Sequence, residues 1–253
     1  MRVFLTGASS GLGEALARHY AAGGATLGLF ARRESELARL AEALAPATVA
    51  VYAGDVRDAD ALARAAADFI DRFGAPDVVI ANAGISRGAL TDEPGDLPAF
   101  RAILETNVLG IVHTFSPFMA ALRAADRGTL VGVSRVAGFR GLPGSGAYSG
   151  SKAAAIAYLE SLRVELHGTG ISVVTICPGF VATPLTERNP YPMPFLLQPD
   201  KAARLMARAI ARRRRFYVLP WQMALLGKVL RVAPRALYDR VFAGRKRKPR
   251  HAE

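Results

Sequence analysis

The chain is short of several things. It has one cysteine, Cys177, and four histidines in 253 residues. A lone thiol cannot pair within the chain, and His19, His113, His167 and His251 show no ligand spacing. The sequence therefore gives no support to a disulfide scaffold or to a metal site. Cys177 reads instead as a small buried hydrophobe. No basic-then-apolar leader opens the chain, and no apolar run reaches the roughly 18–20 residues of a membrane span. Acidic charge is scarce at one end. From Lys201 onward there are 16 Lys and Arg against 2 Asp and Glu, leaving 17 against 19 over residues 1–200. The net charge of +12 thus belongs to the last fifth of the chain. A near-neutral body with a basic tail points to an enzyme core carrying a surface-binding appendage, and away from nucleic acid. What is present is apolar: 51% hydrophobic and 21% charged. That excludes disorder and suits a soluble α/β domain in a reducing, cytoplasmic compartment.

Short branched apolar runs alternate with helix-length stretches. Val3–Thr6, Thr26–Phe30, Thr48–Ala53, Val78–Ala81, Thr129–Ser134, Ser172–Ile176 and Phe216–Leu219 read as strands buried on both faces. Gly11–Ala22, Glu34–Leu44, Asp58–Phe73, Leu97–Arg123, Gly146–His167 and Pro199–Arg212 read as helices. Asp58 supplies a good cap, and Leu62, Ala65 and Phe69 recur at helical spacing. This alternation predicts a Rossmann-type, doubly wound α/β fold over residues 1–220: a parallel sheet of about seven strands with helices on both faces. Such folds bind ligands beyond the carboxyl ends of their strands, so the loops there carry the chemistry.

The first such loop is Thr6-Gly7-Ala8-Ser9-Ser10-Gly11-Leu12-Gly13. Its glycines permit a tight turn and close approach of backbone to a pyrophosphate, and the following helix aims its N–H groups there. The second strand runs into Arg32 and Arg33, with no carboxylate before Glu34. A carboxylate there would hold a ribose 2′-hydroxyl, whereas guanidinium groups suit a 2′-phosphate, so the pair predicts NADP(H). Tyr148 and Lys152 stand four apart on one helix face. A nearby ammonium favours the phenolate, and the pair can then trade a proton with a substrate oxygen.

These motifs lie in order along about residues 1–220 and resemble the short-chain dehydrogenase/reductase superfamily, in its standard-length single-domain branch. The matches are Gly7, Gly11, Leu12 and Gly13; Asp55-Val56; Asn82-Ala83-Gly84; Asn107; Tyr148 with Lys152; and Pro178-Gly179-Phe180-Val181-Ala182-Thr183. The resemblance implies the following roles. Ser9 and Ser10 complete the phosphate loop. Asp55 and Val56 hold the adenine, and Asn82, Ala83 and Gly84 line the cofactor cleft. Tyr148 is the general acid in reduction, and Lys152 holds the nicotinamide ribose and lowers the tyrosine pKa. Asn107 holds a relay water by its main chain. Val181 and Thr183 fix the carboxamide, and Pro178 and Gly179 belong to the cofactor-binding set. The resemblance also implies a homo-oligomer, dimer or tetramer, built through Leu97–Arg123 and Gly146–His167.

One position departs from the family pattern. A catalytic serine is expected 13 residues before the tyrosine, and that register holds Arg135, with Ser134 one residue earlier. Strand side chains alternate faces, but a bulge at a strand end can re-aim one. Ser134 is therefore expected to polarise the substrate carbonyl. Entry of Arg135 into the site as an oxyanion or carboxylate partner is the second reading. The third is a catalytically weak dinucleotide-binding sensor or scaffold.

Residues 184–198 are apolar and proline-rich, and with Gly138–Leu142 they predict a lid suited to an apolar carbonyl or alcohol. Residues 221–253 form a basic amphipathic extension that Pro234 splits into two helices and Arg245–Arg250 closes. Three readings of it stand: packing on the body, peripheral contact with an anionic membrane at its inner face, and nucleic acid, which the lack of a stacking pattern disfavours. Membrane contact would fit a lipophilic ketone of the 3-oxoacyl or sphingoid kind.

Overall fold

A computed structural model describes residues 1–187, 189 and 192–244. Arg188, Pro190 and Tyr191 of the apolar lid, the Arg245–Arg250 cluster and His251 lie outside the described residues. Seven parallel strands form one sheet: β1 (Arg2–Thr6), β2 (Thr26–Ala31), β3 (Val49–Ala53), β4 (Val78–Ala81), β5 (Gly128–Val133), β6 (Ile171–Pro178) and β7 (Phe216–Leu219). Their order is β3-β2-β1-β4-β5-β6-β7, the doubly wound arrangement read from the alternation. The order reverses direction between β1 and β4, which opens a crevice beyond their carboxyl ends.

Each face of the sheet is sealed by helices whose apolar stripes the sequence already spaces. On one face α1 (Gly11–Ala22), α2 (Glu34–Ala43) and α9 (Pro199–Ala211) bury Leu16, Leu37, Leu40, Met206 and Ile210 against Val3, Leu5 and Val131. On the other lie α3 (Ala59–Phe73), α5 (Gly110–Phe115), α6 (Met119–Ala125) and α7 (Gly146–Glu165), which bury Phe69, Phe115, Leu122 and Leu159. The Phe4 and Phe69 rings meet edge to face at 5.6 Å. Gly28 of β2 makes the room, because a Cβ there would lie 2.6 Å from the Phe69 ring. Burying a ring of this size contributes about 1.5–3 kcal/mol. Asp58 caps α3 as read, accepting from the Ala61 amide at 3.0 Å.

Two expectations change. The stretch read as one helix over Leu97–Arg123 is α4 (Leu97–Leu104), a π-helical turn (Glu105–Leu109), α5, a 3₁₀ turn (Ser116–Phe118) and α6. Pro117 accounts for the 3₁₀ turn, since it lacks the amide that α-helical bonding needs. The stretch Pro94–Ala125 is also long and apolar enough, by length and composition, to cross a bilayer, contrary to the reading that no run reaches that length. Here its Ile103, Ile111, Phe115 and Phe118 are buried in the protein. Beyond the sheet, α8 (Pro184–Glu187) lies in the lid, and α10 (Trp221–Val232) and α11 (Arg235–Phe242) form the extension, divided at Pro234 as expected.

Candidate functional site

A cleft of about 670 Å³ opens beyond β1, β2 and β4, at the switch point. Its floor is the β1–α1 loop. Gly7 and Gly11 hold φ of +67° and +56°, conformations that glycine tolerates without strain. A Cβ on Gly7 would lie 2.7 Å from Ala83 Cα, and one on Gly13 would run into the Gly7 carbonyl. The main chain itself is thus the packing material. Ser10 caps α1 without a side-chain bond to the first-turn amides, so those N–H groups are left for a ligand. Asn82 Nδ2 donates to the Thr6 and Gly7 carbonyls at 3.2 Å, tying the β4 loop to this floor.

The rim is charged. Arg32 and Arg33 line the cleft, and Arg33 Nη2 donates to Ser9 Oγ at 3.0 Å and to Ser9 O at 3.1 Å. Asp55 pairs with Arg57 at 2.8 Å. Burial pushes the Asp55 carboxyl up, but the bonds and charge of Arg57, with Arg32, hold it below the ordinary carboxylate range. Val56 is buried and Gly84 and Thr183 also line the cleft.

At the inner end, α7 presents Tyr148 and Lys152, both buried. Lys152 Nζ donates to Val133 O at 3.2 Å and lies 5.9 Å from the Tyr148 ring centre. Burial, then the charge of Arg135, pushes Lys152 down to about 7. Burial pushes the Tyr148 phenol up, and the opposing charge comes from Arg135. Asn107 sits in the π-helical turn. Its Oδ1 accepts from Ile85 N at 2.9 Å, and its Nδ2 donates to Ile85 O and Ser151 Oγ at 3.0 Å. The turn thus joins the β4 loop to α7.

Ser134 lies in the wall of the cleft at the end of β5. Its amide continues the ladder to Ile176 O at 2.8 Å, so no bulge re-aims it. It shares a sheet face with Gly132, where a Cβ would strike Leu159 of α7. Its hydroxyl is fully buried and donates to Lys152 O at 2.7 Å. In this structure the hydroxyl is thus engaged with the main chain of α7. Arg135 lines the cleft as well, with Nη1 on Gly179 O at 2.7 Å.

A second, more apolar cavity of about 460 Å³ adjoins the first. Ser86, Arg135, Tyr148, Leu185 and Asn189 line both. Phe139, Leu142, Pro192 and Pro194 wall it, as the lid reading implies, and so do Met223, Leu226, Leu230, Tyr238 and Phe242 of the extension. Arg140 Nη1 donates to Leu230 O and Ala233 O at 3.1 Å, and its guanidinium lies 4.2 Å over the Tyr238 ring. Tyr238 Oη donates to Gly141 O at 2.7 Å.

The family model described as short chain dehydrogenase matches residues 1–192. The chain belongs to that family. An uncharacterized oxidoreductase of Myxococcus xanthus is 40% identical over 237 residues, 93% of each chain. The 11-beta-hydroxysteroid dehydrogenase 1A of Arabidopsis thaliana is 36% identical over 73% of this chain, which spans 53% of that relative's length. Among solved structures, the alcohol dehydrogenase of Thermococcus sibiricus, complexed with 5-hydroxy-NADP, is 29% identical with a TM-score of 0.76, over 86% of this chain and 94% of that one. A short chain dehydrogenase/reductase of Burkholderia phymatum in complex with NAD shares the fold at a TM-score of 0.83 and 24% identity, over 100% and 97%. This short-chain dehydrogenase is therefore a nucleotide-binding oxidoreductase acting on CH–OH groups.

Not every residue read from sequence meets the cleft. Pro178 and Gly179 line the second cavity, and Val181 is a core residue bridged to Leu197 that lines neither. Ile85, Ser86, Arg87, Thr106 and Glu187 line the cleft without having been singled out. The contribution of the extension was open in the sequence. Its signal was the spacing of Met223, Gly227 and Leu230, one helical stripe seated on the body. Among the described residues no His/Cys/Asp/Glu group could hold a metal.

Proposed function

We propose that this short-chain dehydrogenase is NADP(H)-dependent and interconverts a carbonyl and a secondary alcohol on an apolar substrate, with Tyr148 as general acid and base. The observation that carries this is the junction of a glycine-floored cleft with an apolar cavity at Tyr148. The cleft fits a dinucleotide: its floor is a cradle that a Cβ at Gly7 or Gly13 would fill. Gly7, Ser9, Ser10, Gly11, Leu12 and Gly13 would hold the pyrophosphate, and Arg32 and Arg33 the 2′-phosphate. Asp55 and Val56 would hold the adenine, Asn82, Ala83 and Gly84 the adjoining ribose, and Thr183 the carboxamide. Pro178, Gly179 and Val181 would position Thr183 by packing.

NADPH, held by these residues, would supply the hydride that reduces the carbonyl carbon. Tyr148 would give the oxygen its proton and be left as phenolate, and the relay through Lys152 and the Asn107 main chain would bring a replacement proton in from solvent. Phe139, Leu142, Pro194, Met223 and Leu230 in the lining of the second cavity support an apolar substrate. The similarity to a protein named as a hydroxysteroid dehydrogenase agrees with that reading. Fluorescence titration with NADPH and separately with NADH tests it. NADPH is expected to bind at least tenfold tighter, the effect of one charge-assisted hydrogen bond of about 1.5–3 kcal/mol. Equal affinities would overturn the NADP assignment, and no binding of either would return the sensor reading.

Residues 1–220 serve as the catalytic unit and 221–253 as an extension, in a cytoplasmic protein. The extension seats Met223, Gly227 and Tyr238 on the body and leaves a second apolar stripe outside, with Trp221 70% and Val232 81% exposed beside Lys228 and Arg231. That outer stripe supports peripheral contact with an anionic membrane. Flotation with anionic but not neutral vesicles is expected, and its loss in Lys228→Glu/Arg231→Glu. Exposed Leu97, Leu104 and Val164, on α4 and α7, support assembly with a second copy.

A further inference from the structure

We infer that Arg135 is a catalytic residue of this short-chain dehydrogenase, holding the reacting oxygen of the substrate beside Tyr148 where the family uses a hydroxyl. The inference deepens the proposed reductase reading and rests on it. Four observations converge. Arg135 occupies the register 13 residues before Tyr148, and the neighbouring Ser134 hydroxyl is bound to Lys152 O. The Arg135 side chain lines both the cleft and the apolar cavity, at their junction with Tyr148. Its Nη1 is anchored on Gly179 O at 2.7 Å, which fixes the fork on a rigid strand end. Among the described residues Arg135 forms no ion pair with a carboxylate.

A guanidinium keeps its proton, so it donates hydrogen bonds without becoming the acid. In reduction a hydride adds to the carbonyl carbon and the C=O π pair moves to oxygen. The guanidinium N–H groups hold that oxygen as charge develops, and the Tyr148 O–H bond breaks to give it a proton, leaving alcohol and phenolate. A fixed donor aimed at a developing oxyanion accelerates such a step by about 10²–10³ in kcat. The same charge acts on the Tyr148 phenol. Of the neighbouring titratable groups, Lys152 on α7 and Cys177 on β6 face each other, and Cys177 is held protonated by burial.

Arg135→Gln keeps a donor for Gly179 O and removes the charge; Arg135→Lys keeps the charge. With NADPH and a neutral apolar ketone, Gln is expected to lower kcat about 10²–10³-fold with little change in KM, and Lys to recover part of it. Ultraviolet titration of the phenol, taken as the difference from Tyr148→Phe, is expected to move to higher pH in Gln and not in Lys. That readout needs no turnover, and a merely structural anchor would not separate the two variants in this way. Gln within threefold of the parent kcat, with an unmoved phenol titration, would overturn the inference and leave the reductase reading intact. A loss confined to KM for ketones bearing a carboxylate would overturn it in favour of an acid-recognition role. A parent enzyme that binds NADPH but reduces no ketone would overturn the reductase reading and the inference with it.

Discussion

The nucleotide cleft and the apolar cavity share Tyr148, Arg135 and Leu185, yet they are made of different materials. The cleft is floored by main chain. Gly13 rests against the Gly7 carbonyl, Gly7 against Ala83, and Asn82 bonds the loop carbonyls at 3.2 Å. The cavity is walled by side chains drawn from the β5–α7 loop, the lid and the extension, with Arg140 and Tyr238 fastening α10 and α11 to the body. Main chain in contact with main chain leaves no rotamer to adjust, so the cleft accepts one ligand shape. Side-chain walls of Phe, Leu, Met and Pro can repack, so the cavity is the part of the enzyme that can change its substrate.

The sharpest way to break this comparison is a single methyl group in the floor. Gly13→Ala places a Cβ on the Gly7 carbonyl. Either the loop or α1 must shift. NADPH affinity is expected to fall more than a hundredfold, with a stability loss of about 1–3 kcal/mol from overpacking. Fluorescence titration and urea unfolding would check both. Retained affinity would mean that the floor is as adaptable as the cavity.

Next in size is the rim. Arg32→Ala and Arg33→Ala each remove a guanidinium from the cleft edge. Each is expected to cost about tenfold to a hundredfold in NADPH affinity, the range of a charge-assisted bond, and little for NADH. Equal losses for both nucleotides would locate these arginines on a group the two cofactors share. Arg33 carries the added penalty of its bonds to Ser9, so its loss is expected to be the larger.

How much of this was legible in the residues follows the same division. The alternation of seven strands with helices, Asp58 at the cap of α3 and the split at Pro234 rest on short-range signals, and they stand as read. The cleft was readable because glycine spacing is local. The π-helical turn at Asn107 was not, since partners 22 and 44 residues away hold it. The bulge expected at Ser134 is absent, because its amide continues the β5–β6 ladder to Ile176 O, a pairing with a strand 42 residues on that local alternation does not specify. The cavity wall from α10 and α11 needed tertiary contacts that the apolar spacing alone does not specify.

Lys152 offers a pH test at the seam between the two regions. Its folded pKa of about 7 lies below the usual 10.5. Between those values the unfolded chain binds a proton that the folded one does not. Stability contributed by this site therefore rises with pH across that window, and the full burial penalty applies below about pH 7. Lys152→Met is expected to melt above the parent at pH 6 and to lose that advantage by pH 10, as read by calorimetry without nucleotide. A constant difference across this range would mean that Lys152 stays charged in the fold.

The smallest expected effect lies farthest from the floor. Tyr238→Phe keeps the ring under the Arg140 guanidinium, 4.2 Å away, and removes the hydrogen bond to Gly141 O. A bond of this kind contributes about 0.5–1.5 kcal/mol. Unfolding of the whole chain should change by no more than that, because the sheet does not depend on α11. The local effect should be larger in proportion. Met223 packs where a Cβ on Gly179 would lie, Gly227 admits the Phe139 ring and Arg140 bonds the last carbonyls of α10, whereas α11 meets the body through Tyr238, under the Arg140 guanidinium and on Gly141 O. Limited proteolysis should cut at α11 first in the variant, and KM for a bulky apolar ketone should rise while NADPH affinity stays unchanged. If NADPH affinity fell in step with KM, the two walls would be one mechanical unit, and the division between a fixed floor and an adaptable wall would be wrong.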